Sequence, residues 1–255
     1  MIGKLQEALR GYAVGVTHTG RVREENQDTF FVDEGKGVFA VMDGAGGMSG
    51  GAIASGLVKE ALFNIALPRS AEELLEQFES RMIVAKDRIE DAAAKANGGQ
   101  MGTTIAALLT YDSNFACIWA GDSRVYRFRN GQLEQVTTDH TEAQELIDQN
   151  VLTEEEARNF ARRHVITRAI GSGLDLELEM VSGNLLPGDR FLLCSDGLTG
   201  HLDDSVVGTF LMNGAPNAAA QCLIKGALDG GGSDNVTVVI VDIDRMSAAE
   251  GAIDR

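Results

Sequence analysis

Cysteine is scarce in this chain: Cys117, Cys194 and Cys222 are the only three, each in an apolar context and none in CxxC spacing. That argues against a disulfide framework and a thiolate zinc site. Proline is equally rare, three residues in 255, and no Ser/Pro-rich stretch or long single-sign charge run marks a linker, so we expect one domain over 1–255. No apolar run approaches membrane-spanning length. Residues Met1 to Arg10 also lack the apolar core of a signal peptide, so we expect a cytoplasmic protein with no membrane partner. Positive charge is in deficit too: 22 Lys and Arg stand against 38 Asp and Glu, a net charge of −16, which opposes attraction to nucleic acid. Of the four histidines, no pair has zinc-ligand spacing, and His18, His140 and His164 read as isolated structural residues.

Glycine, by contrast, is plentiful, and its placement is informative. Val38 to Met42 reads as a short buried strand that delivers Asp43 into a turn holding Gly44, Gly46, Gly47, Gly50 and Gly51. The arrangement recurs. Asp122 follows the apolar run Phe115 to Ala120, Asp196 follows Phe191 to Ser195, and Asp234 precedes the strand-like run Val236 to Val241. We therefore expect four aspartates at strand ends.

In chain order, strands are predicted at Tyr12–Thr19 and Thr29–Val32, joined by a polar connection that carries Arg21 and Arg23. A helix over Ser49–Leu67 ends at Pro68. Ser70 and Glu73 make a capping box for a second helix, which presents Leu74, Leu75, Phe78, Met82, Ile83 and Ile89 on one face and stops at Asn97-Gly98-Gly99. Strands follow at 103–110, 115–120, 124–129 and 133–137, the last pair joined by the hairpin signal Asn130-Gly131, which implies an antiparallel meander. Residues 141–165 break this pattern as a polar helical insertion, a flap, with a second capping box at Thr153 and Glu156. Strands at 176–185, 190–194 and 236–243, with helices near 203–212 and 216–229, complete an α+β sandwich.

Aspartates on rigid strand ends suit Mg²⁺ or Mn²⁺, which prefer oxygen ligands. Two such ions roughly 3.5–4 Å apart can share a carboxylate and activate water for in-line attack on phosphorus. Arg23 is placed to anchor a phosphate bidentately.

The motifs Arg23-x-x-Asn26-Gln27-Asp28, Asp43-Gly44-x-Gly46-Gly47, Gly102-Thr103-Thr104, Gly121-Asp122-Ser123-Arg124-x-Tyr126, Thr138-Asp139-His140, Ser195-Asp196-Gly197-Leu198 and Ser233-Asp234-Asn235-x-Thr237 resemble, in order, those of the protein phosphatase 2C family, in its compact bacterial form. The resemblance spans about residues 12–243. It implies a four-layer α-β-β-α sandwich of two antiparallel sheets, with a centre of two Mn²⁺ or Mg²⁺ ions at one end. It also implies that Asp43 bridges the ions, the Gly44 carbonyl binds one, Asp196 and Asp234 bind the other, Asp28 acts through water, and Asp122 with Asp196 makes a weaker third site. Arg23 would bind the substrate phosphate, with Thr104 and Asn235 as supports. The implied activity is a metal-dependent protein serine/threonine phosphatase acting as a monomer, in which a bridging hydroxide attacks phosphoserine or phosphothreonine without a phosphoenzyme. Two departures stand out. Ala45 takes the place of a histidine that animal relatives carry as a proposed general acid, leaving the proton to a metal-bound water, and Gln27 takes the place of a glutamate.

The rival of another class is a pseudophosphatase that binds a phosphoprotein without turnover; all four aspartates being present speaks against it. Gly47-Met48-Ser49-Gly50-Gly51 also matches a G-x-S-x-G nucleophile elbow, with His201 the only histidine late enough for a triad, but four residues separate the strand from the motif and a long parallel sheet is missing. Gly44-x-Gly46-x-x-Ser49 falls one residue short of a dinucleotide fingerprint, and a helix follows where the second strand should.

Overall fold

The unbroken apolar runs of the central strands have a physical cause: both faces of each strand are covered. The computed structural model describes residues 9–46, 50–96, 100–173, 175–212 and 214–245. One sheet has the order β1 (Leu9–His18), β11 (Val236–Arg245), β10 (Arg190–Cys194), β7 (Arg124–Arg129), β8 (Gln132–Gln135). The other runs β2 (Asp28–Asp33), β3 (Val38–Ala45), β5 (Ile105–Tyr111), β6 (Asn114–Ala120), β9 (Glu179–Asn184), with β4 (Gly102–Thr103) paired to the end of β3. The pairings are antiparallel throughout.

Helices α1 (Gly50–Phe63) and α2 (Ala71–Lys95) cover the outer face of the second sheet; α5 (Asp196–Thr199), α6 (Asp204–Met212) and α7 (Pro216–Asp229) cover that of the first. Alternation along each strand sorts side chains between layers. In β3, Val38, Ala40 and Met42 meet the helices, while Phe39 and Val41 enter the inter-sheet layer against Phe191, Leu193, Val239 and Val241. In β11, Val236, Val238 and Ile240 turn instead to α5–α7. The expected four-layer α-β-β-α sandwich is thus formed.

Several local expectations are corrected. The Asp43 strand does not end at Met42. It continues to Ala45, because Gly44 and Ala45 find new partners in Thr103 and Gly102. Helix α1 stops at Phe63, well short of Pro68, where the Asn64 side chain caps back onto the Glu60 carbonyl. At the start of α2 the Ser70 side chain accepts from Glu73 N, but Glu73 turns to the Arg69 main chain and guanidinium, so only half of the capping box forms. Ile83 is exposed, and Ala85 completes the buried face with Leu74, Phe78, Met82 and Ile89. The expected stop at 97–99 and the elbow residues 47–49 lie outside the described residues.

The meander is also divided. Asn130-Gly131, both at positive φ, turns β7 into β8 as expected, but β5 and β6 belong to one sheet and β7 and β8 to the other. The chain crosses between sheets at Gly121-Asp122-Ser123. Gly121 sits at φ 110°, where a Cβ would lie 2.5 Å from the Thr104 methyl, so a tight left-handed crossing is available only to glycine here. The insertion 141–165 carries α3 (Glu142–Asp148) and α4 (Glu154–Arg158), the latter with its full capping box. A bridge between Thr141 and Ile166 closes its root.

Candidate active site

The ends of both sheets open into one cavity of about 530 Å³, lined among others by Arg23, Asp43, Gly44, Thr104, Asp122, Asp196, Asp234 and Asn235. Asp43 comes from β3, directly opposite Asp28 on β2. Asp122 comes from the inter-sheet crossing. Asp196 opens α5 just after β10, and Asp234 precedes β11. Aspartates from opposite sheets therefore meet at one end of the sandwich.

The main chain around them is firmly held. Asp43 N donates to Thr104 Oγ1 (3.1 Å), and Asp43 O accepts from Thr104 N (2.8 Å) and Thr103 Oγ1 (2.9 Å). Thr104 Oγ1 in turn shares a hydrogen bond with Ser123 Oγ (2.8 Å), which links Asp43 to the Asp122 crossing. Gly44 is packed so closely that a Cβ would lie 2.1 Å from Gly51 O, and a Cβ on Gly51 would lie 2.5 Å from Gly44 O. Side chains are excluded on both sides of that carbonyl.

Asn235, 5% exposed, joins three segments: its Nδ2 donates to Thr19 O (2.8 Å) and Glu25 O (3.0 Å), and its Oδ1 accepts from Gln27 N (2.8 Å). The connection that carries Arg23 is thereby fixed to the strand that follows Asp234. Arg23 Nε and Nη2 form a bidentate pair with Asp234 Oδ1 (2.9 Å) and Oδ2 (2.7 Å).

Collecting so many carboxylates is electrostatically unfavourable, and their proton affinities show it. Burial, reinforced by the charges of Asp28, Asp196, Asp122 and Asp234, holds Asp43 well above the usual carboxylate range. Burial and the charges of Asp196 and Asp139 do the same to Asp122. Burial and Asp234 raise Asp196, opposed by a hydrogen bond with Asp43 and by His164 and Arg23. Asp28 is pushed up to about 6 by burial, against hydrogen bonds from Ser195 and Thr237. Asp43 and Asp196 keep part of their surface open to the cavity, whereas Asp28 and Asp122 are buried.

The donor set is all oxygen, rigidly mounted and unfavourably charged, which suits hard divalent cations. Among the described residues no three of these groups close into a ready coordination shell. Asp234 is engaged by Arg23, and Asp28 Oδ2 accepts from Ser195 Oγ (2.7 Å).

Two participants escape sequence reasoning. Ser195 Oγ donates to Asp28 and accepts from Thr237 N (3.0 Å), tying β2 to β11; the sequence shows it within a motif beside Asp196 but gives it no role. His164, read as an isolated residue, lines the cavity from the insertion, along with Ile166. His140 is the structural residue expected: buried, stacked on Trp119, its Nδ1 accepting from Gly121 N (3.2 Å). His201 Nε2 is engaged by Ser233. The antiparallel neighbours of β3 exclude the parallel scaffold that a nucleophile elbow needs.

A sequence profile described as Protein phosphatase 2C matches residues 14–220. The chain is 35% identical over 225 residues to the serine/threonine protein phosphatase PstP of Mycobacterium tuberculosis, covering 88% of this chain but only 43% of that protein's length. It is 30% identical over 237 residues to the serine/threonine phosphatase stp of Listeria monocytogenes, covering 89% of this chain and 94% of the relative. The fold superposes on the catalytic domain of PstP, solved in complex with two manganese ions, with a TM-score of 0.84 at 33% identity, over 92% of this chain and 99% of that one. With the profile, the relatives and the site in agreement, the chain belongs to the protein phosphatase 2C family.

Proposed function

We propose that this chain is a metal-dependent protein serine/threonine phosphatase, one domain with residues 141–165 as a flap beside its site. The observation that carries this reading is the meeting of Asp43, Asp122, Asp196 and Asp234 around one cavity that Arg23 also lines, with Asp28 buried opposite Asp43 on the paired strand.

The residues present fit two Mn²⁺ or Mg²⁺ ions. Asp43 would lie between them, the Gly44 carbonyl would serve one, and Asp196 and Asp234 the other. Asp28 would act at one remove, through water, and Asp122 with Asp196 would serve a weaker third ion. Bound there, such ions neutralise charge on the phosphoryl oxygens and draw a nucleophile from water at neutral pH, so no side chain needs to be phosphorylated.

The protein's own groups do the rest. Arg23 supplies a planar fork of donors that matches a phosphate; here that fork pairs with both oxygens of Asp234. Thr104 and Thr103 fix the Asp43 backbone, Ser195 fixes Asp28, and Asn235 fixes the Arg23 connection. Ala45, exposed at the end of β3, has no proton to give, so the leaving serine or threonine oxygen draws its proton from water in the open cavity.

Hydrolysis of p-nitrophenyl phosphate and a phosphothreonine peptide with Mn²⁺, with Mg²⁺ and with EDTA tests this. Release that depends on metal and is abolished by EDTA is the expected result. No release under any metal, from protein shown to be folded, would replace the phosphatase reading with that of a non-catalytic phosphoprotein binder.

A further inference from the structure

We propose that the preferred substrate carries a lysine or arginine next to its phosphorylated residue, read by Glu24 and Glu25; the inference rests on the phosphatase reading above. Both glutamates line the cavity immediately after the phosphate-binding Arg23, and both are exposed. Among the described residues neither carboxylate has a hydrogen-bonding or ion-pair partner.

They are displayed from a held connection rather than a loose one. Asn235 grips it at Thr19 O, Glu25 O and Gln27 N, Arg21 N donates to Gly232 O (2.7 Å), and Arg21 Nε donates to Leu228 O (2.9 Å). The main chain that carries the two charges is therefore held close to Arg23.

That placement opposes the site's task. A phosphate monoester brings negative charge into a cavity already walled by aspartates, on a chain of net charge −16, and two further unpaired carboxylates at its mouth repel it. A cation on the substrate removes the conflict and turns the same charges into recognition. His164 of the insertion and Ile166 at its root add no carboxylate to the cavity, so the exposed glutamates lie on the Arg23 side. Exposed ion pairs change binding a few-fold each, so the pair together gives a preference of about three- to tenfold. Such a preference weakens as salt is added.

The test compares wild type with the double variant Glu24→Gln and Glu25→Gln on phosphothreonine peptides flanked by lysine, alanine or glutamate, with p-nitrophenyl phosphate alongside. Expected is a wild-type kcat/KM order of lysine, then alanine, then glutamate, a spread that shrinks at high salt, and loss of the order in the variant, with p-nitrophenyl phosphate turnover kept or raised because two repelling charges are gone. No order in wild type, or an order that survives in the variant, overturns the proposal while leaving the phosphatase reading intact. If nothing turns over, including p-nitrophenyl phosphate, the phosphatase reading falls, and fluorescence anisotropy with the same peptides still decides: equal binding of lysine- and glutamate-flanked peptides by wild type overturns the proposal.

Discussion

Replacing Asn235 with alanine removes one carboxamide and leaves three main-chain groups without their partner: Thr19 O, Glu25 O and Gln27 N. A polar group left unsatisfied in a buried place costs about 1–3 kcal/mol. The connection from 19 to 27 is partly open to water, which places each group near the low end, so the sum is about 3 kcal/mol. For a chain of this size each kcal/mol moves the melting temperature by about 2–4 °C. The expected fall is therefore about 6–12 °C, read by calorimetry in EDTA so that metal binding does not contribute. Activity should fall as well, mainly through KM, because Arg23 rides on the released connection. A fall of less than about 2 °C would show that water replaces the carboxamide and would refute the claim that Asn235 fixes this rim of the site.

Acidity should act on the metal-free protein in the opposite sense to ordinary acid denaturation. Asp28 holds its proton more tightly folded, at about 6, than unfolded, near 3.9, so its contribution is complete below about 3.9 and is lost as pH rises through about 6. The loss is on the order of 3 kcal/mol. Urea unfolding in EDTA should show wild type losing stability over that window relative to Asp28→Asn, and parallel curves would refute the assignment. Asp43→Asn should lower kcat by at least about a hundredfold while raising the metal-free protein's urea midpoint, since it deletes a charge that burial and four aspartates disfavour; near-normal turnover would remove Asp43 from the centre of the site. Arg23→Ala should lower kcat/KM for phosphopeptides by about ten- to a hundredfold, chiefly in KM, and an unchanged KM would argue against phosphate binding there.

Much of the fold is legible because helices and a second sheet bury both faces of the central strands, which makes β3, β10 and β11 short apolar runs. The aspartates stand out because each interrupts or adjoins such a run. What fails to show is decided by tertiary partners. Glycine and alanine at 44 and 45 look like a turn, and only pairing with Gly102 and Thr103 keeps them extended. Phe115–Ala120 and Arg124–Arg129 look like neighbours in one sheet, and only the positive-φ Gly121 sends them into different ones. Ile83 is apolar at nearly the right phase, yet Ala85 is what the packing takes. Capping at Ser70 is diverted because Arg69, one residue earlier, competes for Glu73. His164 reaches the cavity only because the bridge at Thr141 and Ile166 folds the insertion back, a long-range event with no local signature.

The two sheets carry different members of the carboxylate set, Asp28 and Asp43 on one side and Asp196 and Asp234 on the other, so the apolar layer between them works as a spacer gauge for the chemistry. Phe39, Val41, Leu193, Val239 and Val241 set how far apart the sheets stand, and with it the gap the carboxylates must span. A change in that layer's thickness that leaves stability nearly intact would detune the site from a distance, as a shim alters the jaws of a vice. Selection on the site would then reach deep into residues that line no cavity, and the inter-sheet packing would be as much part of the site's specification as the aspartates themselves.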